Sequence, residues 1–180
     1  MATKVDESVQ QFPTLIYDGP FSDHIEARKP VGVTGAPIDS TRAIEIARKF
    51  VPFDASAHTG KIEGEVDSKI PAYRVSLEAP KKSGKPDAIV DVTKTGGHVV
   101  LMNIARDIDP KKIDLEAAVA RANVFLSKIG MTSMKPTFAS EVGDVAVIPF
   151  VWVQDGVYVY PDMVKVKVAL DNGDILSYDS

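Results

Sequence analysis

The feature that most constrains this chain is that it repeats itself. Val90–Met102 reads VDVTKTGGHVVLM, and Val164–Tyr178 reads VKVKVALDNGDILSY. Adding 76 carries Val90 to Val166, Val92 to Val168, Gly97 to Gly173, Val99 to Ile175 and Val100 to Leu176. In the later copy Val164, Val166 and Val168 alternate with Lys165 and Lys167, the period of a strand with one dry and one wet face. Asn172-Gly173 predicts a tight hairpin turn, because such a pair tolerates positive φ. The helices repeat as well. Ile38-Asp39 precedes Ala43, Ala47 and Phe50, and adding 75 gives Ile113-Asp114, then Ala118, Ala122 and Phe125.

Asp39 and Asp114 suit N-caps, where a carboxylate accepts from backbone N–H groups that lack a helical partner. The spacing i, i+4, i+7 puts two small residues and an aromatic on one helix face, fit to lie closely on a sheet. The repeat therefore predicts an α+β fold: two tandem units of roughly 70 residues, each one helix on a small antiparallel sheet. Their bounds are 38–106 and 112–180, with DIDPKK (107–112) at the join. Each unit alone would bury only a modest core, so the two are expected to pack together.

Helix boundaries follow from breakers. The first helix runs from about Asp39 to Val51 and stops at Pro52; the second runs from Asp114 to Ile129 and ends at Gly130. Lys61–Val66, Tyr73–Glu78 and Thr137–Val142 read as strands. Val145–Gln154 and Val157–Tyr160 read as a hairpin around Asp155-Gly156, with Pro149 marking an edge or a bulge. Residues 79–87 (APKKSGKPD) form a basic loop, read as solvated. Residues 1–11 are a flexible lead-in. Residues 12–37 hold a strand and turn (FPTLIYDGPF) and a Pro/Gly linker, Arg28–Pro37. Phe12–Tyr17 either completes the first sheet or is the remnant of a preceding module.

Charge and composition exclude several functions. With 44% hydrophobic and 26% charged residues the chain is a folded one, and its formal charge of −4 argues against a nucleic-acid partner. The absence of cysteine rules out disulfides, thiol catalysis and cysteine-ligated metal. No apolar run approaches the ~18 residues of a membrane span, and no signal peptide is evident at Met1. No phosphate-binding loop, HExxH, nucleophile elbow or zinc pattern occurs. His24, His58 and His98 are read as exposed or capping. Asp87 and Asp91 flank a strand start, and Glu63 and Glu65 share a strand face, a solvated pattern rather than an acid/base pair. The chain is expected to have no catalytic residues, no cofactor and no metal: not an enzyme.

Aromatic residues are the more informative candidates. Trp152, Tyr158 and Tyr160 crowd one hairpin, and Tyr17 and Phe21 flank the N-terminal turn. Trp and Tyr are the residues from which partner hot spots are commonly built. Tyr158 and Tyr160, two apart, are expected on one side of their strand with Trp152 facing them. These five are the candidate partner contacts; core packing is the competing role.

The helix opening Ile-Asp, the Ala-x-x-x-Ala-x-x-Phe face and the terminal glycine-turn hairpin resemble the PepSY module. The phrases FPTLIYDGPFSDHIEARKP, DVTKTGGHVVLM and YPDMVKVKVALDNGDI together resemble the YpeB-like spore germination family, over essentially Phe12–Tyr178. The resemblance implies a noncatalytic regulator that works with SleB, a spore-cortex-lytic enzyme degrading peptidoglycan, and that restrains it. It implies an extracytoplasmic place at the spore inner membrane and cortex, held there by an N-terminal anchor that this chain lacks. It transfers no catalytic residue. Three rival readings stand beside it: a protease-inhibitory or propeptide-like module, a cell-wall glycan hydrolase, and a homodimer formed by pairing of Phe12–Tyr17.

Overall fold

The computed structural model describes residues 33–80 and 87–180. Asp39 caps the first helix, α1 (Ser40–Phe50), its carboxylate accepting from Arg42 N at 2.8 Å. Asp114 caps α2 (Leu115–Lys128) in the same way, accepting from Ala117 N at 2.8 Å. Both predicted caps are therefore found, and α2 ends before Gly130, whose φ of 87° is the left-handed conformation that terminates a helix. Four strands follow α1: β1 (Thr59–Val66), β2 (Ala72–Glu78), β3 (Ala88–Thr93) and β4 (Val99–Ile104). Five follow α2: β5 (Met134–Pro136), β6 (Ser140–Val142), β7 (Val145–Gln154), β8 (Val157–Ala169) and β9 (Ile175–Asp179).

The strands do not make two small sheets. Among the described residues they form one antiparallel nine-stranded sheet, ordered β1-β2-β3-β4-β9-β8-β7-β5, with β6 also paired to β7. The seam is β4 against β9, where Leu101 faces Asp179, Met102 faces Tyr178 and Asn103 faces Ser177. Met102 plus 76 is Tyr178, so this residue pairs with its own counterpart in the repeat. Leu101 and Asn103 pair with each other's counterparts. That is the register of a two-fold interface, made here within one chain.

The repeat extends to individual bonds and contacts. Ile38 N donates to Lys94 O at 2.9 Å, and Ile113 N to Leu170 O at 2.9 Å, each tying a helix entry to the hairpin turn beside it. Gly97 lies beneath α1, where a Cβ would stand 2.6 Å from Ile46 Cδ1; Gly173 lies beneath α2, where one would stand 3.1 Å from Arg121 Cγ. Glycine at these turns lets the helix descend onto the sheet. The second turn is wider than an Asn-Gly pair alone would make. Gly173, at φ 85°, takes the left-handed position and Asn172 does not, and the chain crosses from Ala169 to Ile175 over five residues, Leu170 to Asp174.

Both helices pack on the same face of the sheet. Ala43 and Ala47 on α1, and Ala118 and Ala122 on α2, are fully buried, over Val75, Leu77, Val90 and Met102 in one half and Ile148, Phe150, Val166 and Val168 in the other. At the seam Phe50 and Phe125 meet edge to face, their ring centroids 5.8 Å apart, and each packs on Tyr178 at 5.2 and 6.2 Å. Such pairs are worth roughly 0.5–1.5 kcal/mol each beyond the area they bury. Burial raises the pKa of the Tyr178 hydroxyl, which lies 3.6 Å from Met131 Sδ.

The segment between β4 and α2 is pinned rather than loose. Arg106 binds Asp171 through both terminal nitrogens, at 2.8 and 2.6 Å, and Asp109 N donates to the same carboxylate at 3.0 Å. The Arg106 guanidinium holds the Asp171 carboxyl well below the usual carboxylate range.

Two outcomes are expected. Phe125→Ala, which empties the seam, should cost about 3–5 kcal/mol in urea unfolding. The loss should appear as a single transition for the whole sheet; two separated transitions would mean the halves unfold independently. Because the folded pKa of Asp171 is depressed, its contribution is present above the unfolded value of about 3.9 and is lost as pH falls below it. Asp171→Asn should therefore be less stable than the parent at neutral pH and lose less further stability on acidification, read from unfolding curves across that range.

Candidate interaction surface

β7 and β8 form the longest hairpin of the sheet, and its turn is the predicted one. Asp155 (φ 50°) and Gly156 (φ 79°) both adopt the positive φ that a two-residue turn requires. Pro149 sits where the neighbour of β7 changes. β6 pairs with Val145–Val147 and β5 with Phe150–Trp152, so the missing N–H falls in a gap in the ladder. This is also why the single strand expected at Thr137–Val142 is displaced and split: the chain leaves β7 between Pro136 and Ser140, and Pro149 O accepts from Thr137 N at 3.0 Å in the gap.

The far side of the hairpin carries an irregularity that alternation does not foretell. Phe150 pairs with Val164 and Trp152 with Val159, so Tyr160, Pro161, Asp162 and Met163 stand opposite the single residue Val151. The strand bulges outward there. Proline, with no N–H to donate, fits at such a break. β9 reaches β8 only from Lys165 to Val168, so among the described strands Val157–Met163 has β7 alone beside it. Tyr158 is 50% exposed, Tyr160 63% and Met163 46%. The result is an exposed apolar ridge on a stretch of strand that, among the described residues, has a neighbour on one side only.

The predicted aromatic cluster is thereby divided. Trp152 has the parity of Ile148 and Phe150 and packs half-buried against the core, whereas its neighbour Val153, which pairs with Tyr158, faces the other way. Trp152 and Tyr158 thus lie on opposite faces of the hairpin. The alternation that was to align Tyr160 with Tyr158 ends at Val159, where the bulge begins. Tyr17 and Phe21 lie outside the described residues, as do the Phe12–Tyr17 strand and most of the basic loop.

The ionisable candidates are engaged in structural contacts. Glu63 accepts from Ser76 Oγ at 2.5 Å, and Glu65 pairs with Lys94 at 2.5 Å. They do not share a face, because a bulge between Ile62 and Gly64 interrupts the alternation: Ser76 is on the face away from the helices, and Tyr73, opposite Glu65, packs with the core. Asp91, almost fully buried, receives both arms of Arg74 at 2.8 and 2.7 Å. His58 stacks on Phe53 with Nε2 3.5 Å from Asp87, and is half-buried rather than exposed. His98 Nε2 lies 2.9 Å from Thr34 O. Among the described residues no three His, Asp or Glu side chains gather as a metal site would require. The side chains sequence reasoning missed are Val157 and Met163, whose exposure follows from the bulge.

Comparison with known proteins decides what carries this surface. The family described as "YpeB sporulation, PepSY1 and PepSY2 domains" matches residues 2–180. The chain belongs to the YpeB sporulation family. It is 32% identical over 143 residues to sporulation protein YpeB of Halalkalibacterium halodurans, which covers 79% of this chain and 31% of that protein. Against YpeB of Bacillus subtilis the identity is 28% over 148 residues, 81% of this chain and 32% of the relative. The chain thus spans less than a third of the length of these YpeB proteins. The C-terminal domain of YpeB from Bacillus megaterium has the same fold, with a TM-score of 0.72 and 25% identity, over 81% of this chain and 64% of that one. These relatives are named as sporulation proteins and not as enzymes. Among the described residues no helix is long and apolar enough to cross a membrane.

The division of the aromatics predicts a division of phenotypes. Trp152→Ala should lower stability by about 2 kcal/mol or more, whereas Tyr158→Ala and Tyr160→Ala should stay within about 0.5 kcal/mol of the parent. Urea midpoints measured side by side check this; equal losses for all three would return the tyrosines to the core.

Proposed function

We propose that this member of the YpeB family is a non-catalytic docking region in spore germination, made of two tandem PepSY-like modules, that binds and restrains a cortex-lytic enzyme of SleB type. Its place is extracytoplasmic, at the spore inner membrane and cortex. The observation that carries the reading is the exposed Tyr158–Met163 ridge on a strand whose flank is open among the described residues. A partner would meet there large apolar side chains and a length of strand that only β7 flanks among the described strands. The single sheet beneath supports the reading, since a ridge held on a long antiparallel pair loses little freedom when a partner settles on it. So does the state of the carboxylates: Glu63, Glu65, Asp91 and Asp171 are each bound to a cation or a hydroxyl of the same chain.

The test is hydrolysis of cortex peptidoglycan by a purified SleB-type enzyme, with increasing amounts of this chain and with the chain alone. Dose-dependent slowing is expected, no turnover by the chain itself, and loss of the slowing in a Tyr158→Ala/Tyr160→Ala double variant that melts with the parent. Slowing undiminished in that variant would remove the ridge from the contact. Inhibition of a general protease instead of the lytic enzyme would overturn the assignment of partner.

A further inference from the structure

Where the two helices converge, their C-terminal ends and the β8–β9 turn enclose a cavity of about 300 Å³. Its apolar wall is Phe50, Val124 and Phe125, and its charged rim is Lys49, Arg121 and Lys128. Val124 is 54% exposed, an apolar side chain turned to solvent in the wall of a cavity. Arg121 lies across Gly173, close enough that a Cβ on the glycine would meet its Nε at 3.2 Å. Among the described residues none of the three cations has an ion-pair partner. Asp174 borders the same cavity but is already bound, to Asn172 Nδ2 at 2.7 Å and Arg106 Nε at 3.4 Å.

Helix ends explain part of this charge. Each C-terminus carries about half a negative charge from its unpaired carbonyls, and Lys49 and Lys128 stand in the last turns of α1 and α2. Two such ends neutralise roughly one of the three cations, and Asp174, whose partner Arg106 is already paired with Asp171, offsets about one more, leaving a surplus of about one positive charge beside the apolar wall. Arg121, a turn and more before the end of α2, is not accounted for by either helix terminus.

We propose that this cavity is a second docking site, for a short acidic peptide segment of a partner protein. An apolar side chain enters between Phe50, Val124 and Phe125, while carboxylates beside it are met by Arg121 and the two lysines. A concave site of this size, with one apolar wall and a charged rim, has room for one anchoring side chain and its polar neighbours. The cavity stands on the helix side of the sheet, at the seam, and does not depend on the β8 ridge.

The experiment uses the full chain and a fluorescein-labelled peptide, Glu-Leu-Phe-Glu-Leu, with its charge-reversed form Lys-Leu-Phe-Lys-Leu as control. Anisotropy should report saturable binding of the acidic peptide that weakens as salt rises, and none of the basic one. Lys128→Glu and Arg121→Glu should each weaken binding at least ~10-fold while the chain still melts in one cooperative transition. Lys128, which supports no turn, keeps the test valid if the arginine variant fails to fold. The Tyr158→Ala/Tyr160→Ala variant should bind this peptide as the parent does, so failure here and failure of the proposed function are told apart. No binding, equal binding of both peptides, or binding untouched by Lys128→Glu would overturn the site. So would absence of peptide binding together with Lys128-dependent capture of anionic phospholipid vesicles, which would assign the cations to a lipid surface.

Discussion

The structure depends on a single antiparallel contact, β4 against β9. Without it there would be two sheets, each with a bare edge at its last strand. Such edges invite pairing with other chains. Joined in the register Met102 against Tyr178, they cover each other, and the helices above are brought near enough for Phe50 and Phe125 to meet. The backbone pairing and the aromatic contact reinforce each other. The strand register places Tyr178 beneath the two rings, and the rings hold the helices where that register demands. A shift of one residue would turn Tyr178 to the other face and leave a hole under both phenylalanines.

The connection between the halves serves the same end. Arg106 leaves the end of β4 and grips Asp171 in the β8–β9 turn, 65 residues away, while Lys112 N and Ile113 N donate to Leu170 O. These bonds fix the direction in which the chain enters α2. A buried carboxylate with a bidentate guanidinium is a poor source of net stability but a strong source of specificity, since either group alone would be stranded. Here it selects one placement of the second helix from the many a tethered unit would otherwise sample. The β4–β9 seam is thus approached in one orientation.

What was legible in the sequence was whatever is local. Asp39 and Asp114 announced the helix starts, Ala43, Ala47, Ala118 and Ala122 the buried stripes, and Gly97 and Gly173 the turns, because each reflects a requirement met within a few residues. The 75- and 76-residue offsets showed that the requirement occurs twice. How the copies combine was not legible. The seam is an edge-to-edge register between strands with no turn to set it, and Met102 and Tyr178 look like any alternating strand residues until they are opposed. The bulges escaped notice for a related reason. Period-2 reasoning assumes one residue against one, and both Glu63 and Tyr160–Met163 violate it. Of the candidate site, Tyr158 and Tyr160 were identified by residue type. Their separation from Trp152, and the exposure of Val157 and Met163, needed the partner strand.

The same bulge explains how an apolar ridge is tolerated on this chain. A regular strand carrying Val157, Tyr158, Tyr160 and Met163 beside an open flank would be a template for unlimited pairing. Pro161 removes one donor, and four residues against one destroy the even spacing of the rest, so a flat strand cannot simply add itself along the edge. Asp162 places a charge in the middle of the stretch, a further bar to self-association. An edge built this way is a poor template for regular strand addition, and that property arises from the residues Tyr160, Pro161 and Asp162 that interrupt an otherwise ordinary hairpin.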